Sequence, residues 1–355
     1  MRSLLFATLV LTTSLAFGMD DKTTVTDGAA AVSVMAYNVE NLFDTVHQPG
    51  KEDWTYLPKA DKDASVRAEC AKITVFPWRM ECLNLDWTPE VLAQKISRVS
   101  HAILSVNEGR GPDVLLLEEV ENIDVLNQLN AALGPAGYTS VVLIEGNDDR
   151  GIDQAMLSRL PIVGDPVNDP IPLSPNARAR KVPGRTRGLL QTTFQLPGGE
   201  LLTVFGVHFP SGSEAHIQRA QAIDFLNKKR SALPASRLVV VGGDFNVNAA
   251  EDQQFSMYAK AMKPWMISHQ VGCQGCIGTE YYKTKKEWSF LDALGFSKNL
   301  DMDQNSAWFL DESSISIPVL DPQMKRDDGT PQGFDAVTGT GVSDHFPIFA
   351  ILRRH

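Results

Sequence analysis

Two β-sheets packed face to face and covered outside by helices, an α/β (α+β) arrangement, is the architecture this sequence predicts. Three observations predict it. Short apolar runs of strand length recur along the chain, several are separated only by turns, and segments with helical spacing stand between the others. No internal repeat, heptad array or linker-like stretch divides the chain, so residues 31–355 read as one domain.

The elements follow in order. The 355 residues open with Met1-Arg2, an apolar run from Leu4 to Leu15, and the small-x-small pattern Ala16-Phe17-Gly18. Together these read as a signal peptide over 1–18. The run is shorter than the roughly 20 residues that span a bilayer, and no other stretch approaches that length. Residues 19–30 form a polar, disordered-looking lead. Ala31–Tyr37 is apolar and β-branched, hence a strand. Residues 48–90, rich in charge, Pro and Trp, read as an irregular surface excursion. Val91–Leu104 sets Leu92, Ile96, Val99 and Ile103 at helical spacing. Val114–Leu117 is a short, fully apolar strand suited to burial, and a helix is expected over Val125–Leu133. Further strands fall at Val141–Ile144, Ala155–Ser158, Leu189–Phe194, Leu201–Val207 and Leu238–Val241. A helix over Glu214–Lys228 separates the last two, and the Pro- and Asn-rich stretch from Asp165 to Pro183 is a loop. The final strands are Phe290–Leu294 and Phe346–Leu352.

Four cysteines are an even set, and export places them in an oxidising compartment. Proximity pairs Cys70 with Cys82 and Cys273 with Cys276, the first bridge stapling the excursion to the surface. The second pair has Cys-x-x-Cys spacing, but no strand-to-helix context precedes it and no second Cys/His pair lies near. That weighs against a redox motif or a zinc site. The formal net charge of −10 excludes holding nucleic acid by bulk electrostatics. A hydrolase, however, needs only a local basic surface. Arg178, Arg180, Lys181, Arg185 and Arg187 offer one, without an intervening anion.

Polar residues of one chemical kind recur where predicted strands end. Asn38 follows the first strand, Glu118-Glu119 follow Val114–Leu117, and His208 follows Leu201–Val207. Asp244 and Asn246 follow Leu238–Val241, Asp292 adjoins Trp288–Leu291, and Asp344-His345 opens the last strand. Taken singly, Asn38 is a turn residue and His208 a core histidine. Gathered, they are hard oxygen donors suited to Mg²⁺, Mn²⁺ or Ca²⁺, with histidines able to move protons near neutral pH. Neighbours on a strand face opposite sides, so one of Glu118 and Glu119 is expected at the surface. An unpaired carboxylate at Asp292 would be costly, which makes a histidine partner physically sensible. Tyr281-Tyr282 reads as loop packing, with base stacking as the alternative.

Five motifs in order, Ala36-Tyr37-Asn38-Val39-Glu40-Asn41, Leu117-Glu118-Glu119-Val120, Gly206-Val207-His208-Phe209, Gly243-Asp244-Phe245-Asn246 and Ser343-Asp344-His345-Phe346-Pro347, resemble the endonuclease/exonuclease/phosphatase superfamily. The resemblance implies a four-layered αββα sandwich and a divalent-cation-dependent phosphoesterase. It implies metal ligation by Asn38, Glu119 and Asp344, and water and phosphate positioning by Asp244 and Asn246. His345 matches the general base, Asp292 the carboxylate that orients it, and His208 the second histidine. Asp153 lies where pancreatic-type deoxyribonucleases carry a carboxylate paired with that histidine, and Arg187 resembles their phosphate-contacting arginine.

Within the superfamily the basic stretch Arg178–Arg187, the export signal and the likeness to bacterial secreted nucleases point to nucleic acid, DNA ahead of RNA. The expected protein is a monomer in the periplasm or the medium, without stable membrane association or a protein partner. A sphingomyelin-type lipid phosphodiesterase or a phosphatase is the alternative on the same fold. A non-catalytic binding protein would have lost some of these acid and base positions.

Overall fold

The computed structural model describes residues 30–174, 186–212 and 215–355. The signal peptide expected at 1–18, nearly all of the lead, and Arg178, Arg180, Lys181 and Arg185 lie outside the described residues.

Two six-stranded sheets form among these residues. The first runs β13 (Trp308–Ser316), β14 (Ile348–Arg354), β1 (Ala31–Leu42), β2 (Val114–Val120), β4 (Asp153–Ser158), β3 (Ser140–Leu143). The second runs β5 (Val167–Asp169), β6 (Leu189–Gln195), β7 (Leu201–His208), β8 (Leu238–Asp244), β12 (Asp292–Ser297), β9 (Trp265–Ile267). Each is mixed, with a parallel pair at its centre, β1–β2 and β7–β8. A separate antiparallel hairpin joins β10 (Glu280–Tyr282) to β11 (Glu287–Ser289).

Side-chain alternation sorts the core into layers. Val32, Val34 and Ala36 of β1 pack with Leu116, Val204, Val240 and Leu294 between the sheets. Met35, Tyr37 and Val39 turn outward beneath α3 (Pro89–Leu104) and α4 (Ile123–Ala132), meeting Leu92, Ile96, Val99, Leu126 and Leu129. Beyond the second sheet, Phe205, Val207, Val239 and Val241 are covered by Ala222, Ile223 and Leu226 of α5 (His216–Ser231). Helix, sheet, sheet, helix is the predicted αββα order.

Three local expectations are corrected. The 48–90 excursion is not irregular: it holds α1 (Ala64–Ala71), N-capped by Asp63, and α2 (Phe76–Asn84). Its bridge, Cys70–Cys82, joins those two helices to each other rather than to the sandwich. The body is held instead by Tyr56 stacked on Phe43 at 4.1 Å and by the Trp87 indole N–H donating to the Phe43 carbonyl. The loop expected over 165–183 contains the edge strand β5, paired with β6. Cys273–Cys276 is bridged as expected, and no helix among the described residues is long and apolar enough to cross a membrane.

Candidate active site

Strand register does most of the gathering. Asn38 sits opposite Glu118 in the β1–β2 pair, His208 opposite Asp244 in β7–β8, and Asp292 opposite Asp244 in β12–β8. These strands belong to facing sheets, so residues far apart in sequence share one rim. Asn38 Nδ2 donates to Asp244 Oδ2 across the two sheets at 3.2 Å. His208 Nε2 lies 3.6 Å from Asp244 Oδ2 and 3.9 Å from Glu119 Oε1. His345 Nδ1 meets Asp292 Oδ2 at 2.7 Å, both residues buried. Asp344 stays exposed, with Oδ1 3.9 Å from His345 Nε2.

Left-handed backbone shapes this rim. Glu40, Asn41, Glu119 and Asn246 all have φ between 54° and 66°, a region that costs a non-glycine residue energy and gathers at functional sites. The strain has a visible use. The register slips between Glu118 and Val120 on both sides of β2, a bulge that re-aims Glu119. Its Oε2 then accepts the Asn41 backbone N–H at 3.0 Å, while Arg150 donates to the Asn41 amide oxygen. The bulge also overturns the expectation of one surface glutamate: Glu118 is fully buried between the sheets, and Glu119 faces the same cleft.

Asn246 positions Asp244, its N–H donating to Oδ1 at 2.7 Å while its own amide donates to the Phe209 carbonyl. Asp153 is buried and directs Oδ1 to the Gly146 N–H at 2.8 Å; burial pushes its pKa up to about 7. Arg187 is buried and lies 3.4 Å from Asp148, so this cation already faces a carboxylate.

Some contributors carry no obvious sequence signal. Ser343 Oγ donates to the Asn38 carbonyl at 2.7 Å and accepts the His345 N–H, tying the first and last strands together. Thr279 Oγ1 accepts the Asp292 N–H. Both are small hydroxyl residues whose value appears only when distant strands meet. Beside the rim a cleft of about 430 Å³ continues past Glu40, Asn41, Tyr56, Lys95 and Phe334, room for more than a phosphate.

The electrostatics follow from packing carboxylates away from water. Burial, then Asp292, push Asp244 up to about 8, against the His345 charge and the Asn246 N–H. Burial, with Asp292 and Asp244 beside it, holds Glu118 well above the usual carboxylate range. Burial opposes a charge on His345, but Asp292, Asp344 and Asp244 outweigh it and hold that imidazole well above its ordinary value.

The sandwich gathers carboxylates, an amide and two histidines on one rim, a donor set suited to metal-assisted hydrolysis. The chain belongs to the Endonuclease/Exonuclease/phosphatase family, whose model matches residues 88–266; members of that family hydrolyse phosphoesters and generally use divalent metals. No curated protein sequence matches it. Among solved structures, a family protein from Bacteroides thetaiotaomicron superposes with a TM-score of 0.56 at 15% identity, covering 92% of this chain and 99% of that one. A mannosyl-6-phosphatase from the same organism gives 0.53 at 15%, covering 90% and 99%. D. rerio TDP2 complexed with single-strand DNA product gives 0.50 at 15%, covering 91% and 99%. At these identities the likeness is one of fold.

The residues fit the divalent metal that the family implies. Oxygen donors dominate the rim; the donor atoms of Asp244, Asp292 and His345 lie within 4.8 Å of one another, a grouping distinct from the Asn38, Glu119 and Asp344 set that the resemblance implies for the metal. Among the described residues, Asp292 Oδ1 and both Glu118 carboxylate oxygens are buried without a hydrogen-bond partner. Such a concentration of unneutralised carboxylate favours a hard cation.

Proposed function

We propose that this chain is an exported, divalent-cation-dependent phosphodiesterase that cuts nucleic acid internally, DNA ahead of RNA. The observation that carries the hydrolytic reading is the buried His345–Asp292 pair at 2.7 Å, facing a second histidine set between Glu119 and Asp244. Support for nucleic acid comes from the basic stretch Arg178–Arg187, and from the fold shared with a protein that carries single-strand DNA product. Support for export comes from the opening residues and the two disulfides.

Asn38, Glu119 and Asp344 would hold Mg²⁺ or Mn²⁺, with Asp244 sharing it. When bound, the dication supplies charge neutralisation at a non-bridging phosphate oxygen and offsets the crowding of carboxylates. Asp292 accepts the Nδ1 proton of His345, which fixes the tautomer; with the charges of Asp344 and Asp244, which otherwise hold the imidazole protonated, taken up by the dication, Nε2 is free to take a proton from water. The resulting hydroxide attacks phosphorus in line, and the bond to the leaving oxygen breaks. His208 returns a proton to that oxygen or donates to a phosphate oxygen. Asn246 keeps Asp244 aimed; Arg187 would contact the phosphate and Asp153 would serve as the carboxylate partner of His208, as the resemblance implies.

Incubating the purified protein with supercoiled plasmid tests this. Nicking with Mg²⁺ that stops with chelator is expected, and His345→Ala should fold but not turn over. Release of phosphate from sugar phosphates, or of phosphocholine from sphingomyelin, with intact plasmid would overturn the nucleic-acid reading.

A further inference from the structure

A positively tipped hairpin grows out of the His345–Asp292 pair. Its root touches both members. Glu280 forms a β-bridge with His345, the Phe346 N–H donates to the Thr279 carbonyl at 2.7 Å, and the Asp292 N–H donates to Thr279 Oγ1 at 3.0 Å. From there β10 and β11 pair as Glu280–Ser289, Tyr281–Trp288 and Tyr282–Glu287. Tyr281 packs against Trp288 at 5.2 Å and Trp288 stacks on Phe346 at 6.1 Å, which stiffens the stem.

The tip is the turn Lys283-Thr284-Lys285-Lys286, closed by Lys286 in the left-handed region at φ 56°. Every residue from Tyr282 to Lys286 is exposed, and the Tyr282 ring is half exposed. Lys285 stands 5.7 Å from that ring. None of the three lysines makes an ion pair among the described residues. In a chain of net charge −10, three exposed cations on one turn, of which Lys283 also acts on the Asp328 carboxylate, stand out beyond an acidic catalytic rim. Three strand residues carry the tip about 10 Å from the root, the scale of the phosphates next to the one being cut rather than of that phosphate itself.

We infer that this hairpin grips the substrate strand: Lys283, Lys285 and Lys286 contact phosphates flanking the cut, and Tyr282 offers a face to an unpaired base. The inference rests on the nucleic-acid reading above and extends it to a specific element. A membrane surface is the poorer match, because Tyr282 is the one large apolar side chain exposed on the tip, and the exposed aliphatic nearest in sequence, Ile277, lies before the root rather than at the tip.

The test compares wild type with K283Q/K285Q/K286Q and with the triple Lys→Arg variant. Each is assayed on a single-stranded oligonucleotide and on bis(p-nitrophenyl) phosphate over a range of salt. Loss of three phosphate contacts should lower the slope of log kcat/KM against log salt by about 2 for a single strand. The oligonucleotide-to-small-substrate ratio of kcat/KM should fall at least tenfold, while the arginine variant keeps both. An unchanged slope and ratio in the glutamine variant, with the wild type still cutting DNA, would overturn the grip and leave the nuclease reading standing. A wild type that hydrolyses the small diester but no oligonucleotide would sink that reading and the grip with it. Binding to phosphatidylserine vesicles that is lost in the glutamine variant, while its DNA salt slope stays intact, would assign the tip to a membrane instead.

Discussion

Replacing Asp292 with asparagine isolates one charge at constant side-chain volume. Oδ2 of Asp292 faces His345 Nδ1 at 2.7 Å, and Asp292 is 0% exposed. As His345 takes the water proton it becomes an imidazolium beside that carboxylate. With charge centres roughly 4 Å apart and an effective dielectric of about 20, their attraction is about 4 kcal/mol. At 1.36 kcal/mol per tenfold in rate, kcat should fall by about a thousandfold. That lies inside the ~10²–10⁴ range of a lost proton-transfer group. Asp292 does not reach the substrate in this arrangement, so KM should move by less than about threefold. Steady-state cleavage of a fluorescent oligonucleotide with saturating Mg²⁺ measures both, and a thermal melt checks the fold. A kcat within about threefold of wild type, with an unaltered pH–rate profile, would refute the role given to the pair.

Three further outcomes are expected. Exhaustive chelation should abolish turnover and Mg²⁺ should restore it; the loaded protein should also melt higher, because a cation relieves the repulsion among Glu118, Asp244 and Asp292, and identical melting curves would contradict this. His269, stacked on Phe290 at 4.3 Å, has its pKa pushed down to about 4 by burial. Its folded value lies below its unfolded one, so stability is intact above pH 6.5 and declines as pH falls toward 4, by up to about 2 kcal/mol at pH 5. His269→Gln should flatten that slope in urea titrations, and an equal slope would assign the acid sensitivity elsewhere. Replacing Cys70 and Cys82 together by serine should free a loop whose closure contributes about 3 kcal/mol in the chain-entropy model. Because the bridge joins only α1 to α2, limited proteolysis should open residues 64–84 while the sandwich melts unchanged; a matching drop in global melting temperature would show the excursion to be integral.

The layer order was legible because alternation and helical period are properties of the chain itself. Val34 and Ala36 against Met35 and Tyr37 already separate an inner from an outer face, and Leu92, Ile96 and Val99 already mark a covering stripe. Strand ends carrying Asn38, His208 and Asp244 were equally readable, since hard oxygen and imidazole donors at rigid mounts have few other uses in such numbers. Edge elements were harder. β5, β9 and β10 have three residues each, too few for periodicity to register.

What only the tertiary structure decided is where neighbours in sequence part company and distant residues meet. The alternation rule sends Glu118 and Glu119 to opposite faces, yet a bulge pinned by Asn41 brings both to one cleft. The lysine turn at 283–286 is an ordinary solvated run until Thr279 and Glu280 root it on Asp292 and His345. Chain-local patterns report which face a residue prefers. Contacts across 53 residues, as between Asp292 and His345, exist only because two sheets pack face to face, and that packing energy is written in no single stretch of sequence.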